Sequence, residues 1–198
     1  MSFSSTVKEE LSRQLTTARH CQIAEMAAIL SLCGRVKISA SDHFAIAIHT
    51  ENLAVARKYF TLLKKTFNIG TDVAKALQAL KFTGDNAGAG KGADPVLIKS
   101  SCCKRAYLRG AFLCIGSMSN PEKGYHLEFV CETDRQALQI QEAIHSFDIE
   151  AKVVRRKKYD VVYLKEGAGI VDLLNVMGAH VSLMNLENLR IEKEMRNS

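Results

Sequence analysis

The stretch RAYLRGAFLCIG, Arg105 to Gly116, is almost continuously apolar and small, with Arg109 and Gly110 at its middle. Its length and lack of alternation suit a helix, and apolar residues all round suit one buried on every side. A glycine in a helix interior costs about 1 kcal/mol relative to alanine, so a close contact at Gly110 should offset that loss. A second stretch, CQIAEMAAILSLCG from Cys21 to Gly34, has the same character. Ala24, Ala27, Ala28 and Ser31 in this one, with Ala106, Gly110 and Ala111 in the other, are small enough for two helix backbones to approach closely. The two stretches are therefore expected to pack against each other as a helix seam.

The segments downstream of the two stretches also repeat. After Gly34 come RVKIS, HFAIAIHT and the amphipathic ENLAVARKYFTLLKKTFNI; after Gly116 come SMS, YHLEFVCET and DRQALQIQEAIHSFDI. Phe44, Ile46 and Ile48 alternate as in a strand, as do Tyr125, Leu127 and Phe129. Leu53, Ala56, Tyr59, Phe60, Leu63 and Phe67 recur at helical spacing, as do Ala137, Ile140, Ile144 and Phe147. Each copy thus reads helix, strand, strand, helix. The second continues with EAKVVRRKKYDVVYLKE, a hairpin with a basic turn, and GAGIVDLLNVMGAH, a closing helix ending at Gly178, making αββαββα. In the first copy TDVAKALQAL proceeds almost directly to a closing helix, so about 15 to 20 residues of hairpin are absent near Val73 and Ala74. Either that copy is eroded or the sequence runs across a missing piece.

The expected class is α+β: two αββαββα repeats with antiparallel sheets, the first repeat lacking one hairpin. The expected divisions are a helical segment at 1–20, the first repeat at 21–82, a flexible connector at 83–99, the second repeat at 100–182 and a linker start at 183–198. The connector contains GAGKG, but without the spacing or the preceding apolar strand of a phosphate-binding loop.

With 198 residues, 47% hydrophobic and 24% charged, the chain can bury a core. Its formal charge of +6 favours an anionic partner, although a solubilising excess has the same signature. MSFSSTVKEELSR is not a secretion signal, and no apolar run approaches a membrane span, so the expectation is a cytoplasmic protein without membrane association. The six cysteines include no CxxC pair. His20 beside Cys21, and Cys102 beside Cys103, invite a metal reading. Adjacent helical residues point about 100° apart, however, and are expected not to share one ion. Reduced core thiols and no metal or cofactor are therefore expected.

The two small-residue helices resemble the LAGLIDADG motif of homing endonucleases. More specifically, SFSSTVKEEL, AEMAAILSLCGRV, CCKRAYLRGAFLCIGSMSNPEKGYHLEF and NLRIEKEMRNS resemble the N-terminal region of the WhiA family, the sporulation and cell-division transcription regulators of Gram-positive bacteria. The resemblance covers most of the chain except about 71–98. It implies a two-copy LAGLIDADG-like region, its repeats related by a pseudo-twofold and its antiparallel sheets saddle-shaped, followed by a DNA-reading helix-turn-helix domain, with EKEMRNS as the linker to that domain and the helix-forming ENLRIEKEMR protruding or fraying here. In the nuclease motif, acids at the foot of each seam helix hold divalent metals. Aligned on that motif, the catalytic positions fall on Cys33 and Ile115 and the other acidic positions on Ser31 and Leu113, none suited to a hard cation. Catalysis is not expected, with Glu25, Glu122 and Glu128 as possible but unclustered substitutes.

A nuclease scaffold without its acids can still hold a duplex through phosphates. Lys152, Arg155, Arg156, Lys157 and Lys158 place five basic residues within seven at a hairpin turn; Arg35, Lys37 and Lys123 lie after the seam helices. These are the candidate contacts to double-stranded DNA; the alternative is a solvated loop with lysines guarding an edge strand. Lys104, Arg105 and Arg109 are better suited to pairing with carboxylates or capping neighbours. A second reading makes the saddle a docking surface for another protein or the regulator's own helix-turn-helix domain. Internal pairing of the copies would replace a dimer interface, so a monomer is expected.

Overall fold

The computed structural model describes residues 2–38, 44–67, 79–81 and 92–198. Two helices form its axis: α2 (Arg19–Cys33) and α4 (Ser101–Ile115), which among the described residues lie against one another more extensively than any other pair of elements. Both are buried through most of their length: Ala24, Met26, Ala27, Ala28 and Ile29 in α2, and Ala106, Leu108, Ala111, Phe112 and Leu113 in α4, have no exposed surface. An alanine Cβ at Gly110 would lie 2.7 Å from the carbonyl oxygen of Glu25 and 3.1 Å from Ala28 Cβ. The absent side chain is therefore filled by the backbone of the partner helix, a contact that offsets the glycine's cost.

Each axial helix turns directly into an antiparallel strand pair. After α2, β1 (Gly34–Ile38) pairs with β2 (Phe44–Ile48) in a register that sets Val36 opposite Ile46. After α4 come β3 (Gly116–Met118) and β4 (Leu127–Cys131), and the second copy's sheet is completed by β5 (Lys152–Arg156) and β6 (Tyr159–Leu164), in the order β3-β4-β6-β5. Leu127, Phe129 and Cys131 alternate inward from β4, and Phe129 meets Phe112 of α4 edge-on at 5.9 Å between ring centroids. Backing the strands of the second copy is α5 (Asp134–His145), while in the first copy α3 (Leu53–Thr66) packs on α1 (Phe3–Ser12) and α2. A capping box starts α5: the Thr133 hydroxyl accepts from Gln136 N at 3.2 Å while Gln136 Oε1 accepts from Thr133 N at 3.3 Å.

The second copy is closed by α6 (Gly167–Met177), terminated by Gly178 at φ 93, and thus shows the complete αββαββα order. For the first copy the described residues show helix, strand, strand, helix; the expected closing helix and the hairpin gap near Val73 and Ala74 lie outside them.

The remaining segments differ from their sequence-based description. The N-terminal α1 (Phe3–Ser12) buries Val7 and Leu11, and Glu10 accepts bonds from Val181 N at 2.7 Å and Ser182 N at 3.0 Å, capping α7 (His180–Asn197). Residues 183–197 continue α7, whose first half is anchored by buried Leu186 and whose last turns, from Ile191 on, are exposed except at half-buried Lys193. Further along, Lys193 donates to Pro121 O and lies 4.7 Å from the Tyr125 ring centroid. Part of the expected flexible connector is likewise docked. Gln139 accepts from Ala93 N at 2.9 Å and donates to Ala93 O at 2.7 Å, and Asp94 caps the 3-10 turn Pro95–Ile98. The glycine-rich part, 82–91, lies outside the described residues.

Candidate nucleic-acid interface

The foot of the helix pair is the place where the nuclease motif would need its acids. Cys33 closes α2, and its Sγ lies 2.9 Å from Cys114 Sγ of α4 and donates to Ile29 O at 3.3 Å. Ser31, half a turn earlier, is buried and donates its hydroxyl to Ala28 O at 3.0 Å. Burial pushes the Cys114 thiol well above its ordinary value, an effect that the nearby Lys8 charge opposes. A neutral, apolar-backed thiol pair does not fit a hard divalent cation, which takes oxygen ligands. Glu9 and Glu51 reach a hollow beside Cys114 and Leu113, but Glu9 is paired with Arg13 at 3.0 Å and shares the hollow with Lys8.

The three alternative carboxylates are committed elsewhere. Glu25, fully buried inside the seam, lies 3.2 Å from Lys58 Nζ of α3 and 3.3 Å from Arg109 NH1 of α4. Lys58 also donates to Leu11 O at 3.0 Å and to Gln14 O, and Arg109 Nε donates to Met177 O at 2.9 Å. Burial drives Glu25 above the ordinary carboxyl range and Lys58 below the ordinary ammonium range, and their mutual attraction opposes both shifts. Through this cluster α1, α2, α3, α4 and α6 share one set of buried charges. Arg109 is a structural group, and so is Arg105, which stacks 5.1 Å from the Phe147 ring. Glu122 sits on the exposed β3–β4 turn, and Glu128 is tied to Arg156 and His126.

The basic hairpin does not present its charges as one cluster. Strand β5 is the edge of the four-stranded sheet, and every one of its residues is exposed. Alternation sends Lys152, Val154 and Arg156 to the open face, the side of Glu128 and Tyr163, and sends Val153 and Arg155 toward α5. There Arg155 pairs with Asp160 at 2.9 Å. On the open face Arg156 grips Glu128 with two bonds of 3.1 Å each. Burial works against the Glu128 charge, but the bonds from Arg156 and His126 prevail and hold its carboxyl below the usual range. The turn itself is Lys157 and Lys158. Lys157 adopts φ 58, a left-handed conformation that glycine would take at less cost. Among the described residues, Lys152, Lys157 and Lys158 pair with no carboxylate; Lys158 lies over the Tyr159 ring at 5.3 Å.

Lys123 is exposed in the turn between β3 and β4. Arg35 and Lys37 occupy β1 positions opposite Ala47 and Ala45, and their side chains lie outside the described residues. The cysteines at the head of the seam come out differently from the spacing argument. His20, Cys21, Cys102 and Cys103 bring their ligand atoms within 4.8 Å of one another. Each adjacent pair diverges on its own helix, but pairing the two helix starts makes them converge. No single-helix spacing carries that signal. The exposed Cys102 thiol is held down to about 6 by hydrogen bonds from Ser100 and His20.

Among the described residues no helix is long and apolar enough to cross a membrane. Two family models match the chain: the WhiA N-terminal LAGLIDADG-like domain over residues 19–79 and the WhiA LAGLIDADG-like domain over residues 104–196. The chain is 50% identical over 227 aligned positions to the probable cell division protein WhiA of Lachnoclostridium phytofermentans, covering all of this chain and 72% of that protein. Since 227 positions align against 198 residues, at least 29 positions of that relative have no counterpart here. It is 40% identical to the protein of the same name from Alkaliphilus oremlandii, covering 70% of it. The fold is similar to the crystal structure of full-length DUF199/WhiA from Thermatoga maritima, with a TM-score of 0.74, 19% identity, and coverage of 98% of this chain and 67% of that one. A second similarity is to the crystal structure of the N-terminal LAGLIDADG domain of DUF199/WhiA, with a TM-score of 0.64, 20% identity, and coverage of 89% and 92%. With two LAGLIDADG-like domains matched and half of its residues identical to a relative it spans to this extent, the chain belongs to the WhiA family.

Proposed function

We propose that this chain is the non-catalytic LAGLIDADG-like module of a DNA-binding regulator of cell division and sporulation. Its two copies form a pseudo-twofold saddle that supports the regulator and adds phosphate-backbone contacts to duplex DNA. The thiol pair at the foot, in place of oxygen ligands, supports the absence of nuclease chemistry.

The observation that carries the DNA reading is the placement of Lys152, Lys157 and Lys158, exposed at one sheet edge and turn without carboxylate partners among the described residues. A lysine in the left-handed region at the tip of that turn favours a need for charge over backbone ease. The test is a titration of this chain with duplex DNA at a series of salt concentrations. Each phosphate neutralised contributes about 0.9 to the slope of log K against log salt, so K152E/K157E/K158E should flatten it by up to about 3. R155E, on the opposite face, should change it little. Equal affinity of the triple variant and the parent would remove the hairpin from the interface.

A second reading, a protein-docking scaffold that works as a monomer, draws on the same face. Arg156 is neutralised by Glu128, and Val130, Val154 and Tyr163 lie beside it, a mixture better suited to a protein than to phosphates. Failure of the chain to bind duplex at low salt favours this reading.

A further inference from the structure

We propose that His20, Cys21, Cys102 and Cys103 form a binding site for one soft divalent cation of the zinc class, clamping the starts of the two seam helices together. The site lies at the opposite end of α2 and α4 from the nuclease foot, and its function is independent of whether the saddle binds DNA.

The donor set is three thiols and one imidazole, a combination used by closed structural zinc sites. Zinc–sulfur and zinc–nitrogen bonds of about 2.3 and 2.0 Å in a tetrahedron place ligand atoms about 3.5 to 3.8 Å apart. Here all four ligand atoms lie within 4.8 Å of one another, with His20 Nε2 at 3.3 Å from Cys102 Sγ, so small side-chain rotations close the set. Cys21 and Cys103 are buried, while His20 and Cys102 are exposed. The shell thus has an inner wall and an open entry. An exposed cysteine beside an exposed histidine is not core filling, which accounts for Cys33 or Cys131 but not for Cys102.

The surroundings suit thiolates. All four residues lie in the first turn of a helix, where unpaired backbone N–H groups and the positive end of the helix dipole favour negative charge. Ser100 Oγ sits 3.3 Å from Cys102 Sγ, and Arg19, Lys104 and Arg105 flank the ligands in sequence. The bound form holds three thiolates and a neutral imidazole, and any thiol proton still present before binding passes to solvent. The net charge of one zinc ion and three thiolates is then minus one, which the positive ends of the two helix dipoles favour. Because two ligands come from each copy, the ion cross-links the repeats, and its binding stabilises the paired arrangement over the separated one.

The test uses the full chain, reduced and stripped with a chelator, then titrated anaerobically with cobalt(II) and displaced with zinc(II). One cobalt per chain is expected, with the intense visible bands of tetrahedral coordination and a thiolate-to-metal charge-transfer band, both erased by zinc. H20A and C102S, which alter exposed side chains, should keep the far-ultraviolet circular dichroism of the parent and weaken binding on the order of 100-fold or more. C131S, at a distant core thiol, should leave affinity unchanged. The proposal is overturned by no cobalt uptake at micromolar concentrations, by weak octahedral spectra, or by uptake that H20A and C102S do not affect.

Discussion

Replacing Gly110 by alanine tests the seam at its tightest point. On an isolated helix the change stabilises by about 1 kcal/mol, through propensity and a less flexible unfolded chain. In this fold the new Cβ would stand 2.7 Å from Glu25 O, a backbone atom of the facing helix, and 3.1 Å from Ala28 Cβ. A carbonyl in the middle of a buried helix cannot rotate away, so α2 and α4 must separate by several tenths of an ångström. Overpacking of this kind costs about 1 to 3 kcal/mol, and it also lengthens the ion pair between Glu25 and Arg109, now 3.3 Å. The net expectation is a loss of up to about 2 kcal/mol, the stretched ion pair favouring the upper end, or up to roughly 8 °C in melting temperature for a chain of this size. Gly169 in α6 is the internal control: an added Cβ meets Leu164 Cδ2 at 3.4 Å and Ile149 Cγ2 at 3.8 Å, ordinary contacts. Gly169→Ala should therefore raise stability by about 0.4 to 1 kcal/mol. Urea and thermal melts followed by circular dichroism compare the two. A Gly110→Ala variant more stable than the parent, by the same margin as Gly169→Ala, would refute the close approach of the helices.

Glu25→Gln keeps the shape but leaves Lys58 and Arg109 buried without a counter-ion, and should lower stability by about 3 to 5 kcal/mol in denaturant melts; Glu25→Gln combined with Lys58→Met should recover a large part of that loss, and no recovery would contradict the pairing. The Glu128 carboxyl lies below its ordinary value in the fold, so its contribution is complete above the unfolded glutamate value of about 4.3 and disappears as pH falls through the depressed folded value. Below about pH 4 the parent should lose more stability than Glu128→Gln does, and parallel pH profiles for the two would show that the bonds from Arg156 and His126 do not bias that proton.

Much of the architecture is local chemistry and is legible without a structure. Alternation in LEFVC marks a strand with Leu127, Phe129 and Cys131 on one side, and Gly178 marks the end of a helix. The charge of α7's last turns hides its docking, because Lys193 and Arg190 cover apolar and carbonyl groups with long side chains rather than standing clear of the surface. The connector hides its order for a similar reason: one side-chain amide, that of Gln139, supplies both bonds to Ala93 from a helix 46 residues away.

The repeat of helix, strand, strand and helix, the class of fold and the family are all written in the chain, because periodicity and motif are properties of neighbouring residues. Which charges are available and which are spoken for depends instead on packing. Packing turned Arg155 toward Asp160 and Arg156 onto Glu128, buried Glu25 between two cations, and brought two divergent residue pairs together at the start of the seam. Pairing energies and ligand geometry are set by distances of a few ångströms, here between residues as far as 84 positions apart, and no local pattern encodes such distances.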